Sequence, residues 1–360
     1  MSLTSTRLAQ LRPIAAEAVR QLGDGPMQLS GAIREALDAG RLLRTGDPAQ
    51  LDALEHTLRT GVPINLRSMG SGTALHPFSS GELFRADAVG PSGSSTSAVV
   101  KGANSGAAQE EFGWKFGREL GIDHLVPAVG RRADGAAWIE FRPGVTLDTA
   151  GITTTRQLDE ALTVSYLADG TLSPIEAAQA ARIDRQLLQS TDYLTANIDR
   201  HANNGLIDLD GTGRVSFIDF GLVGRGARAE GGSVLSPALR RFQGDSTNGV
   251  VQLDPAVVRY IGRRLTPDGI QRIHSEVYQA VGIARTTPGT LGERQFIATK
   301  QPRFVAGVGT RLEALLRHEG YVAAPYLGDA VSPLLTPSRA METKGFRNVM
   351  RARHEFGFGA

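Results

Sequence analysis

What most constrains this chain is where its hydrophobic period changes. Up to about residue 60 the apolar residues recur at helical spacing; from Ile64 to Gly102 they fall in short extended runs; after residue 150 the helical period returns. A chain most of whose strands are gathered into one block between helical blocks reads as α+β. The first block predicts two or three amphipathic helices with turns at Gly23-Asp24-Gly25-Pro26 and Gly46-Asp47-Pro48, forming a cap on the main domain. The middle block predicts strands at Ile64–Arg67, Glu82–Arg85 and Ser97–Lys101, with a loop at Gly90–Thr96. A helix is expected from Ala107 to Leu120, stopped by Gly121, then strands at Val126–Val129 and Ala136–Phe141 broken by Arg142-Pro143-Gly144. Helices are expected from Pro174 to Asn197 and over 254–264, 267–281 and 290–317, with a strand pair at Gly205–Asp208 and Val215–Asp219. The implied organisation is an N-terminal helical extension (1–62), a small β-rich lobe (63–143) and a larger helical lobe (144–360).

Composition narrows the chemistry. Of 360 residues 41% are hydrophobic, enough for a substantial core, and 39 Lys+Arg against 37 Asp+Glu leave a formal charge of only +2. That balance does not favour a nucleic-acid partner. The chain has no Cys, which excludes disulfides, thiolate metal sites and cysteine nucleophiles, so the chemistry must come from oxygen and nitrogen groups. Arg7, Arg12, Glu17 and Arg20 interrupt the opening segment, which reads as a soluble helix and not a secretory signal, and no run approaches the ~18 apolar residues of a membrane span. A cytoplasmic protein is expected. The Ala/Gly/Arg-rich composition suggests a high-GC bacterium, and an effector delivered into a host cytosol is compatible with it.

The most informative segment runs from Asp192 to Gly205 and includes Asp199-Arg200-His201-Ala202-Asn203-Asn204; Phe217-Ile218-Asp219-Phe220-Gly221 follows it. An Asp with an Asn five residues later, then a strand ending in Asp-Phe-Gly, is what Mg-dependent phosphoryl transfer from ATP needs. One carboxylate orients the nucleophile, while an amide and a second carboxylate hold a hard cation that keeps several waters. At these residues the chain resembles the protein-kinase-like superfamily, and the order Asp-Arg-His resembles its phosphoinositide 3/4-kinase-like branch. The resemblance covers about residues 64–225. It implies a bilobal kinase-like fold with Asp199 as catalytic aspartate, Asn204 and Asp219 as metal ligands, and His201 aiding transition-state charge or substrate orientation; Arg200 is expected to be structural.

The same resemblance implies a phosphate-gripping lysine on the third strand, where Lys101 ends the apolar run Ala98-Val99-Val100. It also implies a glutamate pairing with that lysine. Glu110 and Glu111 compete, and counting back from Gly121 favours Glu110. Glu140 and Phe141, before Arg142-Pro143-Gly144, resemble a hinge that binds adenine through backbone groups. For the loop over the phosphates, Ser79-Ser80-Gly81 is preferred to Gly70-Ser71-Gly72-Thr73, since small residues let backbone N–H groups approach phosphate oxygens. His76-Pro77-Phe78 resembles the opening of a Fic-type AMP transferase motif, but Leu83 stands where that motif needs Gly and Arg85 comes one place late.

The function these residues imply is an ATP- and Mg²⁺-dependent kinase acting on protein Ser/Thr hydroxyls. Phosphoinositide phosphorylation, AMP transfer from the same fold and a non-catalytic scaffold are the alternatives. A protein substrate is the expected partner, with no nucleic acid and no stable membrane insertion; the oligomeric state is not indicated. His124, His274 and His318 stand apart without ligand spacing, and Arg240-Arg241 and Arg263-Arg264 read as solvated helix faces.

Overall fold

A computed structural model describes residues 5–23, 25–71, 82–91, 93–102, 106–195, 197, 200, 202–209, 211–221, 223, 250–279, 302–317 and 321–323. Within them the chain is mixed α+β, with a small antiparallel sheet and surrounding helices. Helices α1 (Ser5–Leu22), α2 (Gly31–Asp38) and α3 (Pro48–Thr60) come first. Asp47 caps α3 by accepting from Ala49 N and Gln50 N, and Pro48 occupies its first turn, where no N–H is needed.

Strands β1 (Val62–Ser71), β2 (Glu82–Val89), β3 (Ser95–Lys101), β4 (Val129–Arg131) and β5 (Ala137–Glu140) form one antiparallel sheet in the order β1-β2-β3-β5-β4. Helix α4 (Ala107–Glu119) connects β3 to β4. Lys101 stands opposite Leu83 on β2 and Ala137 on β5, so the end of β3 lies within the sheet and not at its edge. The fourth strand differs from expectation. Val126-Pro127-Ala128 is not strand, because Leu125 N and Val126 N both bond to Ile122 O in a turn, Pro127 has no donor to give a ladder, and pairing begins at Val129.

Phe141–Gly144 then leads from the sheet to β6 (Val145–Thr146), which pairs with β7 (Gly205–Ile207), itself paired with β8 (Val215–Phe217). Helices α5 (Thr155–Asp169) and α6 (Pro174–Leu194) intervene, each opened by a capping box, Thr154 with Gln157 and Ser173 with Glu176. After β9 (Val250–Gln252) come α7 (Pro255–Arg264), α8 (Pro267–Gln279), α9 (Pro302–Arg317) and β10 (Tyr321–Ala323), which pairs with β9. The part of the expected 290–317 helix before Pro302 lies outside the described residues, as do Arg240, Arg241 and His318. No helix among the described residues is long and apolar enough to cross a membrane.

The N-terminal helices share one hydrophobic cluster with the rest: Leu8, Ile33, Leu37 and Leu58 belong to it together with Phe112, Trp114 and Phe217. Helix α1 packs on α5 and α6, α2 on α6 and α7, and α3 on the sheet at β4, where the backbone of Gly130 meets that of Glu55 and Arg59. A Cβ at Gly130 would lie 2.5 Å from Arg59 N, so only glycine admits this approach. Arg44 seals the connection between α2 and α3: it donates to Ser165 Oγ at 2.9 Å, pairs with Asp169 and lies 3.9 Å over the Tyr166 ring. Arg263 and Arg264 are not a free basic face. Arg263 donates to Asp38 O and Arg264 to Glu119 O, satisfying carbonyls at the ends of α2 and α4.

Candidate active site

The end of β3, the first turn of α4 and the segment after β8 bring three charged groups together. Lys101 Nζ donates to Glu110 Oε1 at 2.5 Å and to Asp219 Oδ1 at 3.0 Å. The other oxygen of Glu110 accepts the backbone N–H of Phe220 at 3.0 Å. A single carboxylate therefore holds both the lysine and the Asp219-Phe220-Gly221 backbone. Glu111 points elsewhere, to Arg59 at 3.0 Å and Arg131 at 2.9 Å, so of the two competing glutamates the structure places Glu110 on Lys101.

Two glycines, one capping α4 and one within it, let the Asp219–Gly221 segment come this close. Gly106, at φ 83 before the helix, faces the backbone of Gly221, whose carbonyl oxygen would be 2.8 Å from an added Cβ. One turn beyond Glu110, Gly113 is covered by the fully buried Phe220 ring; a Cβ there would lie 2.5 Å from Phe220 Cγ. Asp219 itself has φ 62, a left-handed conformation that Asp tolerates better than most residues and that is found disproportionately at functional sites.

The electrostatics follow from this packing. Burial alone would favour neutral Lys101, but the carboxylates of Asp219 and Glu110 outweigh it and raise its pKa. Asp219 is lowered to about 2, chiefly by the Lys101 charge. Burial pushes Glu110 up against the pull of Lys101. Lys101 and Glu110 are nearly enclosed, while the Asp219 side chain keeps 40% of its surface exposed. The cluster thus presents one ionised carboxylate outward, backed by an ammonium.

Behind it, Arg200 ties the segment after α6 to the strand pair. It grips the buried Asp192 carboxylate with Nε at 3.0 Å and a terminal nitrogen at 3.1 Å, and donates to Ile218 O at 2.8 Å. Its guanidinium also lies 4.4 Å from the Phe220 ring centroid. Asn204, in a short 3-10 turn, is 3% exposed, and its carbonyl accepts Ile218 N at 2.9 Å, which sets it beside the chain leading to Asp219. A carboxylate and an amide suit a hard divalent cation such as Mg²⁺, which retains several waters and so needs few protein ligands. Among the described residues no cluster of three or more His, Asp or Glu could hold a metal ion. Asp199, His201, Ser79, Ser80 and Gly81 lie outside the described residues, as do His76 and the Gly72-Thr73 half of the alternative glycine loop, whose Gly70 and Ser71 end β1.

The segment expected to hold adenine is partly committed. Glu140 N donates to Ala128 O and Phe141 N to Ser97 O, both at 2.8 Å. The Glu140 carboxylate pairs with Arg142 and accepts Ala128 N, while the Phe141 ring lies 3.8 Å from the Arg85 guanidinium. An adenine could not use the N–H of either residue. The isolated histidines have structural surroundings: His124 bonds to Asp184 at 2.8 Å, and His274 packs on Tyr278 and Phe304.

What sequence reasoning missed is the machinery that holds α4 from behind. The buried carboxylates of Glu55 and Glu111 gather Arg59, Trp114, Lys115 and Arg131 into one polar network. Only the i, i+4 spacing of Glu55 and Arg59 hinted at it, and that spacing is common on solvated helices. No family model matches the chain, and no curated protein matches it.

Proposed function

We propose that the chain is an ATP- and Mg²⁺-dependent phosphotransferase of bilobal, kinase-like build, transferring the γ-phosphate to a hydroxyl of a protein Ser or Thr. The observation that carries this reading is the single lysine at the end of β3 bridging a helix glutamate and the aspartate of Asp219-Phe220-Gly221. A structural ion pair would need one carboxylate. Two carboxylates on one ammonium, with one left 40% exposed, suit a group that must hand its lysine to an anion such as a phosphate.

In this reading Glu110 keeps Lys101 charged and aimed, and Lys101 holds the phosphates of ATP. Asp219 and Asn204 would hold Mg²⁺, which when bound would neutralise phosphate charge. Asp199 orients the acceptor hydroxyl and takes its proton as the acceptor oxygen bonds to the γ-phosphorus and the bond to the β,γ-bridging oxygen breaks, so that ADP departs. His201 aids orientation or charge at the same step. Arg200, bonded to Asp192 and Ile218, ties the end of α6 to the chain after β8. Adenine sits against the chain after β5, using groups other than the committed N–H donors of Glu140 and Phe141. Binding of ATP in the presence of Mg²⁺ tests the reading: the wild type should bind it and transfer label from its γ-phosphate, and failure to bind ATP refutes the assignment.

A further inference from the structure

Helix α4 has two polar faces, and only one of them belongs to the site described above. Gly106, Glu110 and Gly113 meet Asp219, Phe220 and Gly221. About a third of a turn round the helix, Glu111, Trp114, Lys115 and Arg118 recur at i, i+3, i+4 and i+7 and meet α3. Glu55 on α3 collects three donors: Arg59 at 2.6 Å, Lys115 Nζ at 3.1 Å and Trp114 Nε1 at 3.1 Å. Arg59 spans from Glu55 to Glu111 at 3.0 Å, and Glu111 passes the link on to Arg131 of β4 at 2.9 Å. Asp52 adds a pair to Arg118 at 2.7 Å. The carboxylates at the centre are almost wholly buried, Glu55 at 9% and Glu111 at 3% side-chain exposure. Moving α4 off α3 would strip Glu55 of Trp114 and Lys115 and Glu111 of Arg59 together, leaving buried carboxylates short of partners, so the network resists that displacement.

Helix α3 is in turn fixed to the sheet that carries Lys101. Its backbone meets Gly130 of β4, and Arg132 bonds to its last carbonyls, Leu58 O at 3.2 Å and Gly61 O at 2.7 Å. Helix α4 is thus anchored to the sheet through α3 on one side, while Glu110 reaches Lys101 on the other.

We infer that α3 of the N-terminal extension is a built-in positioning element for the active site, with Glu55 and Arg59 as positioning residues that hold α4 where Glu110 reaches Lys101. The inference deepens the phosphotransfer reading and rests on it for its kinetic consequence, but its structural consequence, the protection of the Lys101 amine by Glu110, can be read without ATP.

The test uses the full chain carrying Glu55→Gln or Arg59→Gln. Acetylation of Lys101 by acetic anhydride is timed by mass spectrometry, and kcat and KM are measured with Mg-ATP. Loosening the network is expected to raise the Lys101 acetylation rate about tenfold, as Glu110→Gln should do directly, and to lower kcat about tenfold while the acceptor KM changes little. Arg59 is 42% exposed, so Arg59→Gln is the variant that keeps a cooperative melt if Glu55→Gln disrupts folding. A cooperatively melting Arg59→Gln chain with wild-type Lys101 acetylation overturns the inference. A wild type without activity toward ATP refutes the phosphotransfer reading instead, and the acetylation rates then decide the coupling alone.

Discussion

Gly113→Ala sets two effects of opposite sign against each other. In an exposed helix interior the change would stabilise by about 1 kcal/mol, because glycine gives up more backbone freedom than alanine on folding. Here the new Cβ would lie 2.5, 2.6 and 2.7 Å from Cγ, Cβ and Cδ1 of Phe220, closer than carbon atoms approach. The Phe220 ring is fully buried and cannot swing into solvent, so the segment itself must shift. Overpacking of this kind costs about 1–3 kcal/mol, which outweighs the propensity gain. We expect a net loss of up to about 2 kcal/mol in urea unfolding. Phosphotransfer should fall further than this stability loss suggests, by at least about tenfold, because a displaced Phe220 pulls Asp219 from Lys101 and its N–H from Glu110. Gly117 is the control on the same helix. Its Cβ would come no closer than 3.2 Å, to Val126 Cγ2, which need yield by only a few tenths of an ångström, so Gly117→Ala should perturb stability less than Gly113→Ala and leave activity intact. A Gly113→Ala chain more stable than wild type and equally active would refute the packing argument.

Two further outcomes follow from the charges. Asp219 has its pKa depressed to about 2 from an unfolded value near 3.8, so its contribution to stability is present above about pH 4 and is lost as pH falls through 2. The stability difference between wild type and Asp219→Asn in urea titrations should therefore narrow across that window, and a difference constant from pH 6 to 2 contradicts the ion pair with Lys101. Arg200→Lys keeps the charge but cannot fork onto Asp192 while reaching Ile218 O, and should cost about 2–4 kcal/mol in urea unfolding; a change below about 0.5 kcal/mol would show that the fork is not structural.

Local patterns were legible in the sequence and long-range partnerships were not. The period of Phe112, Phe116 and Leu120 with Gly121 marks α4 to within one residue, and Asp47-Pro48 marks the start of α3. The expected start of the fourth strand failed because Val126-Pro127-Ala128 has strand composition but sits in a turn whose carbonyl at Leu125 is taken by Phe217 N from the other side of the chain. The pairing of Lys101 with Glu110 was legible only through the resemblance to kinase-like sequences, and the structure shows the two side chains in contact. That Arg59 rather than Lys101 would take Glu111 depends on α3 docking at Gly130, a contact between segments some seventy residues apart that no local pattern records. The extension read as a cap is for the same reason a part of the core.

Titration of ATP into the chain with and without Mg²⁺, for wild type, Lys101→Met, Asp219→Ala and Asp199→Ala, tests the central claim most directly. The account predicts Mg²⁺-dependent binding by the wild type, weak binding by Asp219→Ala, a milder loss for Lys101→Met, and near-normal binding by Asp199→Ala, which loses turnover instead. Equal ATP affinity in wild type and Asp219→Ala, with or without Mg²⁺, would contradict it.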